Sequence, residues 1–293
     1  MEQDQPRATS RLSDSELALV ESAVSRFSLE LSREALSEQA RNRLTSVNGV
    51  DHFITGEGVD TLRYAQGVFS GARYEVEFMA DRFDEVLLDS VITRAREIGS
   101  SCSLWVHGIT GNADALGLES RGGRLERTIL RMSRSLPLSS IEEPLDQGVM
   151  REFDLSKDCQ TWLALNREAF SEHPEQGRVS EEDLRFRLAQ AWFDPAGFLV
   201  SEDHGKMHGF SWSKVHDDPW GRIGEIYVIA VRPQHAPKGL GRALLSASLI
   251  WMASIGLEDV MLYVDETNVR ARRLYDSTGF KLQWRDQLWR LEL

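Results

Sequence analysis

Two glycines in the second half of the chain, Gly239 and Gly241, stand where a backbone turn could bind a pyrophosphate. An apolar segment rich in β-branched residues ends before Pro233, and a helical pattern begins directly after the glycine pair. The first N–H groups of a helix lack intrahelical partners, and the helix dipole attracts an anion to that end. Lys238 and Arg242 add positive charge beside the pair. Because a lone G-x-G pattern is weak evidence, the prediction depends on the surrounding elements.

Those elements follow a strand–helix–strand–helix order that would place the turn at the end of a parallel sheet. The apolar periodicity and the glycine caps predict a strand at Glu225–Val231, a helix at Leu240–Ile255 that stops at Gly256, a strand at Val260–Val264, and a helix that begins at Asn268 and closes at Gly279. Parallel strands joined by such a crossover lie side by side. Their carboxyl ends should therefore face one cleft.

Two motifs in this segment carry a family resemblance. The EIYVIAV strand with its GLG turn, and the N-V-x-A-x-x-L-Y-x-x-x-G-F block from Asn268 to Phe280, together resemble the Gcn5-related N-acetyltransferase (GNAT) superfamily. With the segments HPEQG (His173–Gly177) and GFSWSKVH (Gly209–His216), most of residues 150–293 resemble the mycothiol synthase family within it. The resemblance implies an α/β (α+β) fold of two tandem GNAT-like domains, each a mixed sheet with flanking helices. It also implies acetyl-CoA as the co-substrate.

Glu225 is the candidate general base. An amine that attacks a thioester must be neutral, and an α-amino group has a reference pKa of roughly 7.7 to 8.0, so a carboxylate in the cleft would suffice. Strand alternation predicts that Glu225, Tyr227, Ile229 and Val231 share one face, with Ile226, Val228 and Ala230 on the other. The resemblance aligns Glu225 with the proposed base of the superfamily. The alternative is a charged residue at a strand start that faces water.

Tyr275 is the candidate general acid. It stands inside the second motif and matches the tyrosine that protonates the coenzyme A thiolate in many superfamily members. The alternative is a half-buried core tyrosine, which is common for this residue type.

The resemblance also implies a set of cofactor contacts: Ile229, Ala230, Val231, Lys238, Gly239, Leu240, Gly241, Arg242, Asn268, Arg270 and Arg273. A helix-capping role alone would account equally well for an asparagine at position 268. The turn departs from the superfamily pattern at its start, where Ala236 replaces the usual Gln or Arg and Pro237 follows it. Because proline has no N–H to donate, we expect weakened cofactor binding rather than none.

For the acceptor, the resemblance implies contacts from Glu175, Lys214, Glu225 and Tyr263. A sugar polyol needs donors and acceptors, and an ammonium needs a nearby carboxylate. Taken singly, these residues also fit ordinary roles as a loop acid, a strand-edge charge and a core tyrosine. His173 and His216 are expected to be solvated rather than catalytic.

Composition narrows the class of protein. The chain has 293 residues and a formal net charge of −12, which favours a small-molecule substrate over a nucleic-acid partner. Cys102 and Cys159 have no metal-ligand spacing, so we expect buried thiols and no metal site. No apolar run approaches the ~18 residues of a membrane span, and the N-terminus lacks a secretory pattern. A cytoplasmic, monomeric protein is expected.

The length predicts two domains, 1–140 and 149–293, joined near Leu136–Gly148. The first repeats the order of the second, with predicted elements at Tyr74–Met79, Glu85–Ile98, Ser103–His107, Ala113–Leu118 and Leu125–Met132. Its turn, Ala80–Asp84, has no glycine and carries three charged side chains. The first copy is therefore predicted to have lost its phosphate site and to hold no second acetyl-CoA.

The sequence thus predicts an acetyl-CoA-dependent N-acetyltransferase. The resemblance implies that its acceptor is the cysteinyl amine of a cysteinyl-glucosaminyl-inositol, which gives mycothiol. Two alternatives stay open at this point: a GNAT enzyme that acetylates another small amine, and a non-catalytic acetyl-CoA-binding regulatory protein. The altered turn and the degenerate first copy are the features that favour the last of these.

Overall fold

The computed structural model describes residues 7–31, 33–46, 49–70, 73–79, 85–109, 117–136, 149–171, 176–218, 221–234 and 237–293. The strands in this part of the chain are β1 (Arg7–Thr9), β2 (Val50–Thr55), β3 (Arg63–Ser70), β4 (Arg73–Phe78), β5 (Ser101–Ile109), β6 (Gly123–Ser135), β7 (Val149–Glu152), β8 (Phe198–Asp203), β9 (Lys206–Asp218), β10 (Gly221–Val231), β11 (Asp259–Asp265) and β12 (Lys281–Leu291). The α-helices are α1 (Asp14–Leu31), α2 (Glu38–Arg43), α3 (Glu85–Glu97), α4 (Leu155–Ala169), α5 (Glu181–Leu188), α6 (Leu240–Ser254) and α7 (Val269–Ser277). None of these helices is long and apolar enough to cross a membrane.

The chain divides into two compact units that are not continuous in sequence. The first unit comprises Met1–Arg131, Asp265–Thr267 and Gln283–Leu293, and the second comprises Met132–Val264 and Asn268–Leu282. All of the last strand except its first two residues therefore groups with the first unit. Except for Leu136, the predicted linker Leu136–Gly148 lies outside the described residues, so the sequence boundaries at 140 and 149 stay predictions.

In the first unit, the strand order is β1-β2-β3-β4-β5-β12. Only β4 and β5 run parallel among these neighbours, and helix α3 connects them. The predicted strands at β4, β5 and β6 and the predicted helix at α3 are confirmed, with shifts of a few residues at their ends. The predicted turn Ala80–Asp84 and most of the predicted helix Ala113–Leu118 lie outside the described residues.

A histidine lies between two carboxylates near the end of β5 in the first unit. His107 Nδ1 lies 3.5 Å from Asp286 Oδ1, and His107 Nε2 lies 3.6 Å from Glu77 Oε1. Burial lowers the pKa of His107, but the two carboxylates outweigh it, so the pKa is raised above its ordinary value of 6.5. The protonated imidazole is therefore favoured in the folded unit.

In the second unit, the strand order is β11-β10-β9-β8-β7, with β10 and β11 parallel and the other pairs antiparallel. Aromatic rings fill its core: Trp212 stacks on Phe198 with ring centroids 4.4 Å apart, and Trp162 of α4 packs edge-on against both. The predicted βαβα order is confirmed here. Gly256 and Gly279 close helices with φ of 80° and 88°, a left-handed conformation that glycine adopts without a Cβ clash.

A β-bulge in β10 changes which residues share a face. The register with β9 shifts between Ile226, which pairs with Ser213, and Val228, which pairs with Trp212. Lys214 is the partner of Glu225, and it shares a face of β9 with Trp212. Glu225 therefore lies on the same face as Val228 and Ala230, not on the face of Ile229 and Val231 as simple alternation predicts. That part of the prediction is wrong, because the extra residue at the bulge reverses the alternation beyond it.

Candidate functional site

The glycine turn has the geometry of an anion site. Gly239 stands directly before α6 with φ of 86°, and no side chain caps this helix end. The Leu240 N–H donates to the Pro237 carbonyl (3.3 Å), and the Ala243 N–H donates to the Gly239 carbonyl (3.0 Å). Between them, the N–H groups of the first helical turn point out of the helix, where an anion can accept them. Lys238 is exposed beside them, and Ala236 lies outside the described residues.

Arginine residues lie at the start of α6 and on α7. Arg242 donates to Ser277 Oγ (2.7 Å), which links the start of α6 to the end of α7. Arg270 and Arg273 are exposed on α7. Asn268 caps that helix by accepting the Ala271 N–H (3.1 Å), so the capping role is established for it. A role of these residues in cofactor binding stays a prediction.

Strands β10 and β11 separate next to the turn. Among the described residues, their parallel pairing runs from Gly224–Val260 to Ile226–Leu262, whereas β10 continues to Val231. The backbone edge of β10 beyond Ile226 is therefore not covered by β11. Such an edge offers N–H and C=O groups to an extended ligand, as a strand edge does to a peptide. The predicted contacts Ile229, Ala230 and Val231 lie on this stretch.

Glu225 is buried, and it has a histidine partner that sequence reasoning missed. His216 Nε2 lies 2.6 Å from Glu225 Oε2, and the two side chains are only 13% and 11% exposed. The alternative in which Glu225 faces water is wrong. The expectation of a solvated His216 is also wrong, because the residue lies within β9 rather than in a loop. Its spacing of two residues from Lys214 was the available signal, but the strand register is needed to use it.

Lys214 lies on the same face, directly opposite Glu225. Its Nζ lies 5.1 Å from the ring centre of Trp192 and 6.0 Å from that of Tyr227, which is within the range of a cation–π interaction. Trp192 and Tyr227 also contact each other edge to face, with centroids 5.3 Å apart. These rings contact the ammonium group of Lys214 on the sheet face that carries Glu225. Trp192 is another residue that the sequence analysis did not single out.

Tyr263 and Glu175 complete the predicted acceptor set. Met261 is the neighbour of Glu225 on β11, and Tyr263 lies two residues further along, so Tyr263 is on the same sheet face. Its side chain is 44% exposed, which excludes the alternative of a core tyrosine. Glu175 and His173 lie outside the described residues. The described members of the acceptor set, Lys214, Glu225 and Tyr263, thus share one face of neighbouring strands.

Tyr275 lies on α7 and is only 5% exposed. Its ring packs against Phe280, with centroids 5.8 Å apart. Burial raises the pKa of Tyr275 to about 12, so the phenol keeps its proton at neutral pH. Among the described residues, the hydroxyl group has no hydrogen-bond partner, and no hydrogen bond joins Tyr275 to Glu225. The packing therefore suits a core tyrosine and a proton donor equally, and the role of Tyr275 stays a prediction.

The described residues contain no cluster of three or more His, Cys, Asp or Glu side chains that could hold a metal ion. Cys102 and Cys159 are buried free thiols, as expected.

Comparison with known proteins agrees with this geometry. A model of the acetyltransferase (GNAT) family matches residues 160–280, which lie in the second half of the chain. A mycothiol acetyltransferase of Parafrankia sp. (strain EAN1pec) is 41% identical over 273 residues, and the alignment covers 83% of each chain. The chain belongs to the mycothiol acetyltransferase family.

Other members of the family align over a smaller share. The mycothiol acetyltransferase of Thermobispora bispora is 44% identical over 196 residues. The alignment covers 66% of each chain, which is just under two thirds. Among solved structures, a tandem GNAT protein from the clavulanic acid biosynthesis pathway matches with a TM-score of 0.66 over 98% of each chain. At 12% identity this likeness shows the fold alone. The tandem GNAT fold of this family member is thereby confirmed, and the family model covers only the second copy.

Proposed function

We propose that this chain transfers the acetyl group of acetyl-CoA to the cysteinyl amine of a cysteinyl-glucosaminyl-inositol, which gives mycothiol. The observation that carries the proposal is the buried Glu225 on a face shared with Lys214 and Tyr263, in a chain related over most of its length to proteins named mycothiol acetyltransferase. Membership of the GNAT family supports an acyl-CoA donor. The acetyl group, the acceptor, a cytoplasmic location and a monomeric state belong to the proposal.

Acetyl-CoA would bind at the separated strands of the second unit. Its pyrophosphate accepts the N–H groups at the start of α6, and Lys238 and Arg242 balance its charge. Its pantetheine arm follows the uncovered edge of β10 at Ile229–Val231. Asn268 and Arg270 lie at the start of α7 and Arg273 in its middle; we propose that they contact the cofactor while Asn268 keeps its capping role. In this arrangement the glycine turn binds the pyrophosphate, and the uncovered edge of β10 binds the pantetheine arm.

The transfer needs one base and one acid. Glu225 takes a proton from the acceptor ammonium, and the nitrogen lone pair then attacks the thioester carbonyl carbon. The tetrahedral intermediate collapses, the C–S bond breaks, and the coenzyme A thiolate takes a proton from Tyr275. The new amide nitrogen releases its surplus proton to solvent, from which Tyr275 is reprotonated, and Glu225 releases its proton to solvent when the products leave. The raised pKa of Tyr275 keeps that proton in place until the thiolate forms. No covalent enzyme intermediate is required, so both substrates must be bound together.

Lys214, Tyr263 and Glu175 would bind the acceptor. The ammonium group of Lys214, held over two aromatic rings, donates to sugar hydroxyls, and Tyr263 offers its exposed ring and hydroxyl. The rings of Trp192 and Tyr227 line the same face and add apolar surface for a sugar ring.

Only the second unit is proposed to bind acetyl-CoA. In the first unit, β4 and β5 pair from Arg73–Ser101 to Glu77–Trp105, and β4 ends at Phe78. The corresponding strand edge is therefore covered almost to its end. This difference supports one acetyl-CoA per chain.

Acceptor profiling of the purified chain tests the proposal. The chain is mixed with acetyl-CoA and cysteinyl-glucosaminyl-inositol. The acetylated product is followed by mass spectrometry, because the thiol of the acceptor would interfere with a colour assay for the thiol of released coenzyme A. Glucosaminyl-inositol without the cysteine and free cysteine serve as matched controls. We expect efficient turnover of the cysteinyl compound alone. Faster turnover of an unrelated amine would replace the acceptor, and acetyl-CoA binding without any turnover would favour the regulatory alternative.

A further inference from the structure

His216 and Glu225 form a short hydrogen bond between neighbouring strands. The distance between Nε2 and Oε2 is 2.6 Å, and both side chains are largely removed from water. An ionised carboxylate can only accept, so the imidazole Nε2 carries the proton and donates it. Hydrogen bonds with an ionised partner are shorter and stronger than neutral ones. The contact therefore fixes the orientation of the Glu225 carboxylate.

The strand register explains how the contact arises. Lys214 stands directly opposite Glu225, and His216 stands opposite Ile223. His216 is thus the diagonal neighbour of Glu225 on the same face, a separation that a histidine and a glutamate can span together. Since Lys214 turns its ammonium group toward the rings of Trp192 and Tyr227, His216 takes the place of a direct cross-strand partner.

The bond leaves the two carboxylate oxygens in different states. Oε2 accepts the His216 proton, whereas Oε1 has no hydrogen bond to any of the described residues. An acceptor ammonium can therefore approach Oε1 without displacing a protein donor. A carboxylate that rotated freely would present either oxygen in several orientations, and reaction rates depend steeply on such positioning.

We propose that His216 is a positioning residue for the acetyl transfer: it holds Glu225 through Oε2 so that Oε1 faces the acceptor amine. The inference rests on the proposed function in assigning the base to Glu225. His216 does not itself contact the acceptor. Because it acts through Glu225, its effect must disappear when Glu225 is replaced.

A set of variants separates this role from a structural one. Glutamine places an amide N–H near the position of the imidazole Nε2, whereas leucine has no donor. We expect His216→Leu to lower kcat by roughly ten- to a hundredfold, the range of a lost hydrogen bond to a charged group. His216→Gln should recover most of that loss. The affinity for acetyl-CoA, measured by calorimetry, should be unchanged in both. His204→Gln, at the exposed β8–β9 hairpin, is the matched control and should behave as the wild type.

A double-mutant cycle with Glu225→Gln decides the matter. We expect His216→Leu to add no further loss of kcat to Glu225→Gln, since both remove one function. Additive losses, a leucine variant at full speed, or a glutamine variant as slow as leucine would each overturn the proposal.

A spectroscopic measurement without substrates keeps the test independent of the acceptor. The imidazole Nε2–H proton should give an NMR resonance shifted downfield by the carboxylate, and Glu225→Gln should move it upfield. An unmoved resonance would contradict the hydrogen bond. Failure of the acceptor assay alone would instead refute the proposed acceptor and leave this resonance in place.

Discussion

Replacing Gly241 tests the cofactor turn most directly, because the position tolerates a side chain. A Cβ there would meet Leu274 at 3.7 Å and Val231 at 3.9 Å, which are ordinary van der Waals distances. Gly239 is different, since its φ of 86° strains any other residue. Gly241→Asp and Gly241→Asn have nearly the same shape. Their difference therefore isolates the charge at the first turn of α6.

The expected magnitude follows from electrostatics. A carboxylate about 6 Å from a pyrophosphate charge, at an effective dielectric of about 20, costs about 3 kcal/mol, or roughly two decades of affinity. The same carboxylate interacts favourably with the helix dipole, typically by ~0.3 to 1 kcal/mol. Gly241→Asp should therefore bind acetyl-CoA about a hundredfold more weakly than Gly241→Asn while unfolding at an equal or higher temperature.

Calorimetry on the intact chain measures both affinity and stoichiometry. We expect one equivalent of acetyl-CoA for the wild type and for Gly241→Asn. For Gly241→Asp, binding should be lost at the same concentrations. Equal affinities in the Asp and Asn variants would remove the turn from the site. Two equivalents in the wild type, or one tight equivalent left in Gly241→Asp, would place a cofactor site in the first unit.

Changes at four further residues have defined outcomes. Glu225→Gln and Tyr275→Phe should each lower kcat by roughly ten- to a thousandfold in steady-state assays with acetyl-CoA affinity nearly intact, and a full-speed variant would contradict the assigned role. Pro237→Arg should bind acetyl-CoA as well as the wild type or better by calorimetry, because it restores an N–H and adds a charge; Pro237→Ala isolates the N–H, and weaker binding of both would refute the reasoning. His107→Gln should have a lower free energy of unfolding than the wild type below pH ~6.5, and this difference should shrink as pH rises through the raised pKa of folded His107. Denaturant unfolding from pH 6 to 9 measures the difference. A difference that stays constant over this range would contradict the stabilisation of the protonated imidazole by the two carboxylates.

Local elements of the second unit could be predicted because their signals are local. The β-branched run of β10 and the helical spacing of α6 set the element types, and the glycines that end α6 and α7 adopt the left-handed conformation that their position requires. Glu225 could be proposed from strand position and resemblance. Its partner could not, because the residues near His216 in sequence do not show which residues of β10 lie beside it.

The bulge at Tyr227 shows the same limit in another form. Simple alternation assumes that each residue of β10 lies opposite one residue of β9. Whether an extra residue interrupts that pairing depends on both strands, so it cannot be determined from β10 alone. The inserted residue brings Val228 and Ala230 to the face of Glu225 and moves Ile229 and Val231 to the face opposite Glu225. Their role in binding a cofactor must then come from the backbone edge rather than from the side chains that share the face of Glu225.

The parallel pair β4–β5 of the first unit differs from the parallel pair β10–β11 of the second in the length of strand edge that it leaves uncovered. In the second unit, the pairing of β10 with β11 ends at Ile226, and β10 continues to Val231. In the first unit, the pairing of β4 with β5 ends at Glu77, and β4 itself ends one residue later at Phe78. A pantetheine arm needs an uncovered stretch of strand, and the described part of β4 provides almost none. Glu77 is moreover engaged, since its carboxylate accepts from both the N–H and the hydroxyl of Ser37 at 2.7 and 2.8 Å. A glycine turn introduced after β4 would therefore supply phosphate donors without a strand edge beside them, and it should not by itself restore acetyl-CoA binding to the first unit.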